Sequence, residues 1–140
     1  MTRWIVLIAG LLGIVGVTIG AYAAHGLEAS LVKQGLESAD IAKRLSQCDV
    51  AVRYHMLHTL ALLAIGLSSA ASGRLAARAA ACSMLLGIVL FSGGLYSMVF
   101  LGEMGHWAIV PSGGLCFILG WLFVAGLALF GTAGAHDHHG

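Results

Sequence analysis

Three long apolar stretches without a charged residue constrain this chain more than any other feature. They cover residues 4–24, 79–101 and 108–130, and none of them contains Asp, Glu, Lys or Arg. As a helix, each stretch is about 32 to 35 Å long, enough to cross a hydrocarbon core about 30 Å thick. Only 9% of all residues are charged, whereas soluble proteins average about 25%. The sequence therefore predicts an integral membrane protein.

A fourth span is predicted over residues 50–71, although its apolar part is shorter. Met56 to Ala71 has 16 residues and includes His58, so this helix must begin before the membrane. Apolar residues upstream recur at steps of three and four, which keeps one helical face in register. With Ser38 as a possible N-cap, one helix from about Ala39 to Ser69 is expected.

These four spans predict an all-α fold, a four-transmembrane-helix bundle with an amphipathic surface helix between the first two spans. We expect one membrane domain over residues 1–131 and a histidine-rich tail over residues 132–140. Both termini then lie on one membrane face. The basic residues are almost evenly divided between the two faces: Arg3, Arg74 and Arg78 lie on the terminal face, and Lys33, Lys43, Arg44 and Arg53 lie on the other. Because the short second loop contains two arginines and the third loop none, we expect cytoplasmic termini.

Glycines in the spans are expected to bring the helices together. In lipid there is little hydrophobic force between helices, so close approach at small residues must stabilise their association. Either all the glycine surfaces are used inside a compact monomer, or one of them faces outward and binds another protein. The predicted packing positions are Gly10, Gly13, Gly16, Gly20, Gly93, Gly94, Gly113, Gly114 and Gly120.

Polar residues at the ends of the spans form the candidate site. Because successive spans alternate in direction, the end of the first span, the start of the second and the third loop reach the same membrane face. Side chains with an apolar body and a polar tip favour this interface. The predicted interfacial cluster consists of His25, Glu28, Arg53, Tyr54, His55, His58, Glu103 and His106.

Two other interpretations of these histidines remain open. His55 and His58 share a helix face and could chelate a metal ion with a ligand from another helix. Haem would need axial histidines from different helices, for instance His25 with His58, and quinone headgroup or proton chemistry is a further possibility. No ligand triad with a fixed separation is evident, so we predict an interfacial hydrogen-bond cluster with no metal and no cofactor.

Four motifs together resemble a known family. They are "GAYAAHGL" at 20–27, "RYHMLHTLALL" at 53–63, "LFSGGLYSM" at 90–98 and "IVPSGGLCFILGWL" at 109–122. In this order they resemble the YgdD-like family of small bacterial inner-membrane proteins, a domain of unknown function with mitochondrial relatives in animals. The resemblance implies a multi-pass four-helix protein of the bacterial inner membrane, and it implies no catalytic residues.

The leading functional hypothesis is a non-catalytic scaffold or accessory subunit of a larger membrane complex, such as a respiratory one. Its expected partners are the lipid bilayer and other membrane protein subunits. A net charge of +1 spread over short loops gives no sign of nucleic-acid binding. The alternative is a metal-, haem- or quinone-binding protein that uses the histidines. A small transporter or proton pathway ranks third, because the three clean spans carry no charged group.

Overall fold

The structure is a computed structural model, and it describes residues 2–68, 74–102 and 107–129. In these ranges the chain forms α-helices and one π-helical segment, and no β-strand. The helices are α1 (Thr2–His25), α2 (Leu27–Lys33), α3 (Ser38–Leu67), α4 (Leu75–Gly87), α5 (Gly93–Phe100) and α6 (Ile109–Leu129), and the π segment is Ile88–Ser92, between α4 and α5.

Four helices of the described part are long and apolar enough to cross a membrane. They are Arg3–His25, Ser38–Leu67, Leu75–Phe100 and Ile109–Leu127. The third runs without a break through α4, the π segment and α5. The predicted all-α architecture with four spans is confirmed. The boundary between a membrane domain and a tail stays a prediction, because residues 130–140 lie outside the described residues.

The second span is one helix of 30 residues that begins well before its apolar part. Its N-cap is Glu37, one residue before the expected Ser38. The short helix α2 lies in the connection that precedes it, with Leu27 and Leu31 buried and Glu28 exposed. The two leucines pack with Cys48 of α3, so α2 covers the end of the bundle from which α3 enters the membrane.

The bundle consists of two helix pairs joined through α3. Helix α1 packs mainly against α3, and α4 packs mainly against α6. The π segment and α5 also contact α3, so α3 joins α1 to the rest of the bundle. The largest group of buried apolar side chains, in the middle of the bundle, comes from all four spans: Ala9, Leu62, Ala81, Met84, Ile88 and Phe117.

An arginine of α3 ties its first turns to the end of the third span. Arg44 Nη1 donates a hydrogen bond to the Val99 carbonyl at 3.1 Å. Helix α5 ends two residues before Gly102, whose φ of +73° is a backbone conformation that favours glycine. The carbonyls at a helix end lack intrahelical partners, so the guanidinium stabilises this end of α5.

Candidate functional site

The polar residues of the "RYHMLHTL" segment of α3 lie in three different environments. Arg53 forms an ion pair with Asp49 on the exposed surface. His58 faces α6, where it contacts Trp121. His55 faces α5, where it contacts Tyr96. His55 and His58 are three residues apart and therefore only about 60° apart around α3, but this rotation directs His55 toward α5 and His58 toward α6.

His58 is 2% exposed, and both of its ring nitrogens are hydrogen-bonded. Nε2 accepts the indole N–H of Trp121 at 3.2 Å, and Nδ1 lies 2.7 Å from the Tyr54 carbonyl. Because an indole N–H only donates and a carbonyl only accepts, the proton of the neutral ring must be on Nδ1. This arrangement leaves neither nitrogen free to bind a metal ion or haem iron.

Aromatic rings surround His58 and hold it between α3 and α6. Its ring stacks on Phe117 with a centroid distance of 3.5 Å and an interplanar angle of 11°. The ring centroid of Phe91, in the π segment, lies 5.7 Å from that of Phe117 and 4.7 Å from that of Tyr54. We call these five residues the aromatic cluster: Tyr54, His58, Phe91, Phe117 and Trp121.

The aromatic cluster lines an open groove of about 620 Å³ on the outside of the bundle. Arg53 and Pro111 also line it, as does Gly114, which leaves room because it has no side chain. Ligand pockets in proteins are typically about 300 to 1,000 Å³ and mostly apolar. The groove therefore has the size and the chemistry of a site for an apolar or amphiphilic molecule.

Where α3 contacts α5, a small polar region lies inside the bundle. His55 is 3% exposed, and its Nδ1 and the Tyr96 hydroxyl are hydrogen-bonded at 3.2 Å. Two buried hydroxyl oxygens find no hydrogen-bond partner among the described residues, Thr59 Oγ1 and Ser92 Oγ. A buried polar atom without a partner costs about 1 to 3 kcal/mol, so this region stabilises the bundle less than an apolar one would.

Through the π segment and α5, the third span contacts both the aromatic cluster and the polar region around His55. Phe91 belongs to the aromatic cluster, whereas its neighbour Ser92 is buried and Tyr96 bonds to His55. Helix α6 comes very close to this segment, since a Cβ on Gly113 would lie 2.8 Å from the Cα of Phe91. Single π turns inside α-helices are frequent at functional sites. This π segment was not predicted from the sequence.

The structure brings only part of the predicted interfacial cluster together. Tyr54 and His58 belong to the aromatic cluster, and Arg53 lines the same groove. His25 and Glu28 lie elsewhere, on the rim of an exposed pocket of about 630 Å³ at α2. Glu103 and His106 lie outside the described residues, so the cluster as a whole stays a prediction.

Three residues of the site, Tyr96, Phe117 and Trp121, were not among the predicted site residues. A signal for two of them exists, because Gly113, Phe117 and Trp121 are spaced four apart and therefore share one face of α6. That spacing does not say which helix the face contacts.

The predicted packing glycines differ in what they contact. A Cβ on Gly16 or Gly20 would meet side chains of α3, and one on Gly94 would meet Val110 of α6. Gly120 faces Met84, and Gly114 lies at an ordinary distance of 3.9 Å from the Phe91 ring. Gly93 has only a carbonyl of its own helical segment nearby, and around Gly10 and Gly13 nothing lies within 4 Å.

In the described ranges, no group of three or more His, Cys, Asp or Glu side chains is arranged to hold a metal ion. Cys48 of α3 is buried against Leu27 and Leu31 of α2, and all three cysteines, Cys48, Cys82 and Cys116, are free thiols. The described histidines instead serve as hydrogen-bond partners within the bundle or lie on its surface.

Comparison with known proteins gives one consistent result. Residues 19–114 match a family described as a protein of unknown function, DUF423. A UPF0382 membrane protein of Haemophilus influenzae is 39% identical over 123 residues, which cover 88% of this chain and 90% of the relative. The UPF0382 membrane protein YwdK of Bacillus subtilis is 34% identical over 122 residues, which cover 85% of this chain and 90% of the relative. The UPF0382 inner membrane protein YgdD of Escherichia coli is 32% identical, with 86% of this chain and 85% of the relative aligned. No solved structure gave a significant match.

Proposed function

The chain belongs to the DUF423 family of membrane proteins of unknown function, and we propose that it is a non-catalytic accessory subunit that binds another membrane protein through α1. Helix α1 lies at the edge of the bundle, and only 11% of its apolar stretch is buried. Its main contact is with α3. The remaining circumference of α1 is available to a partner helix.

The observation that carries this proposal is the open surface at Gly10 and Gly13. A step of three residues turns a helix by about 300°, so each glycine in the series 10, 13, 16 is rotated by about 60° from the one before. Gly16 therefore meets Met56 of α3, while Gly10 and Gly13 meet nothing within 4 Å. Glycine weakens a helix by about 1 kcal/mol relative to alanine. Close approach of a second transmembrane helix would offset that cost.

The sequence left two other functions open, and the geometry supports them less well. Metal or haem ligation by His58 would require breaking its hydrogen bonds to Trp121 and Tyr54. For a proton or ion pathway, the buried polar residues of the described part are His55, His58, Thr59 and Ser92, with no carboxylate, lysine or arginine among them. Intramembrane charged groups are the usual mark of such pathways.

We expect leucine at Gly10 and Gly13 together to lower the recovery of partner proteins by about tenfold, because overpacking a helix contact costs about 1 to 3 kcal/mol. The matched control is Gly126→Leu on α6, where a new side chain also enters open space. The measurement is affinity purification in mild detergent, followed by native gel electrophoresis. If the unmodified protein always runs as a single monomer, or if Gly126→Leu has the same effect, the proposal is wrong.

For the membrane itself, we propose the bacterial inner membrane with both termini in the cytoplasm. The support is the inner-membrane description of the Escherichia coli relative and two arginines at the start of the third span. Arg74 is the N-cap of α4, and Arg78, which was expected in the loop, lies near the start of that helix. A green fluorescent protein fused to the C-terminus is expected to fluoresce, and alkaline phosphatase fused there is expected to be inactive. The reverse pattern would place the termini in the periplasm.

A further inference from the structure

The groove over the aromatic cluster extends from the membrane boundary toward the middle of the bundle. Arg53 is the last charged residue of α3, because residues 54–67 contain no charge. On α6 the lining extends from Pro111 to Trp121, a rise of about 15 Å along the helix. The groove is therefore oriented like a lipid molecule, with one end at the headgroup level and the other among the acyl chains.

The inner end of the groove offers a ligand no free hydrogen-bonding group on His58 or Trp121. Their polar atoms bond to each other, and the second nitrogen of His58 bonds to the Tyr54 carbonyl. A polar ligand group placed there would lose its water without gaining a partner, which is unfavourable. An apolar chain pays no such penalty and can pack on the rings of Phe117 and Phe91.

The outer end of the groove is lined by Arg53, which is ion-paired with Asp49. Arg53 has five N–H donors, and only one of its terminal nitrogens takes part in the ion pair with Asp49. Both side chains of this pair are well exposed, at 70% and 64%. Exposed pairs four residues apart on a helix are weak, so the guanidinium is able to turn toward a phosphate. Arginine binds phosphate in a bidentate geometry, which makes an anionic headgroup the best match.

We propose that this groove binds an anionic phospholipid, with its phosphate at Arg53 and an acyl chain along the aromatic cluster. Both the free donors and the charge lie at the outer end, which sets the orientation of the lipid. The site involves α3, the π segment and α6, whereas the proposed accessory role involves α1. The two proposals can therefore fail independently.

A second apolar pocket serves as an internal comparison. It has a similar volume, about 610 Å³, and is lined by Arg74, Leu122 and Gly126. Arg74 Nη1 donates to the Leu127 carbonyl at the end of α6, and no member of the aromatic cluster lines the pocket. We assign no lipid to it.

The proposal is tested by the fluorescence of Trp121, which lies at the inner end of the groove. The variant Trp4→Phe with Trp107→Phe leaves Trp121 as the single tryptophan of the chain. This protein is placed in phosphatidylcholine bilayers with a small fraction of phosphatidylglycerol that has brominated acyl chains, which quench tryptophan. One basic residue enriches anionic lipid by about fivefold. We therefore expect brominated phosphatidylglycerol to quench Trp121 as strongly as a roughly fivefold larger fraction of brominated phosphatidylcholine.

Two pairs of variants distinguish lipid binding in the groove from a general effect of surface charge on the quenching. Arg53→Gln is expected to reduce quenching by phosphatidylglycerol to the phosphatidylcholine level, whereas Arg78→Gln, which removes the same charge from an exposed position on α4, leaves it unchanged. Gly114→Leu fills the groove without changing any charge and is expected to reduce the quenching too. Gly126→Leu, in the comparison pocket, should not.

The outcomes that overturn the proposal are equally specific. Equal quenching by the two brominated lipids in the parent protein would show that the groove holds only bulk acyl chains. An equal loss in Arg53→Gln and Arg78→Gln would assign the effect to net charge alone. Should Gly114→Leu fail to fold, the exposed Arg53→Gln substitution with its Arg78→Gln control still decides the question.

Discussion

Replacing Gly113 by alanine is expected to lower the free energy of unfolding of the bundle by about 2 to 3 kcal/mol, in the upper range for an overpacked contact. The added Cβ would lie 2.8 Å from the Cα of Phe91 and closer still to its backbone nitrogen. Backbone atoms cannot rotate away as a side-chain end can, so α6 has to move. That movement separates Phe117 and Trp121 from His58.

The control for this prediction is the next residue in the chain. A Cβ on Gly114 would lie 3.9 Å from the Phe91 ring, an ordinary contact. Both substitutions improve helix propensity by about the same amount, close to 1 kcal/mol. The difference between Gly113→Ala and Gly114→Ala in a reversible unfolding measurement in detergent or bicelles therefore isolates the contact with Phe91. Equal stability of the two variants would show that α6 and the π segment are not in such close contact.

Replacing His58 by alanine is expected to lower the free energy of unfolding by about 3 kcal/mol, the cost typical of removing a buried aromatic ring. The ring stacks on Phe117 at 3.5 Å, and its removal leaves a cavity next to that side chain. It also leaves the Trp121 N–H without its acceptor at the apolar inner end of the groove. The loss of packing and the loss of the hydrogen bond act in the same direction.

His25→Ala is the matched control, because the sequence placed both histidines in one interfacial cluster. His25 is exposed at the end of α1, so its replacement should change the unfolding free energy by less than about 0.5 kcal/mol. The same unfolding measurement applies, with near-ultraviolet circular dichroism as a second signal for the environment of Trp121. Similar losses for the two variants would support a joint cluster and contradict the separate surroundings described above.

Much of the architecture could be predicted because the bilayer imposes it. A charged residue in the hydrocarbon core is costly, so the long stretches without charge identify three spans directly. The long helix α3 was also predictable, since the repeat of apolar residues continues upstream of its apolar part. In these cases the deciding interaction is between a residue and its solvent, and a sequence contains that information.

The sequence predicted that glycines bring the helices together, but not which of them lie at a helix contact. Lipid favours close helix contacts at small residues, but a glycine has no side chain that shows which face of its helix is buried. Gly16 and Gly10 look equivalent in the sequence, yet one meets α3 and the other meets nothing within 4 Å. The rotation of α1 against α3 decides between them, and that rotation depends on all the side chains along the contact.

The histidines show most clearly what each level determined. The sequence by itself placed His55 and His58 in the same helix near one membrane face, because connectivity and the limits of the apolar stretch allow little else. Only the tertiary structure gave His58 its partner Trp121 on α6 and His55 its partner Tyr96 on α5. These partners lie 63 and 41 residues away along the chain. Hydrogen bonds over such separations form only after the helices have packed, so the crossing of α3 with α5 and α6 decides the chemistry of each ring.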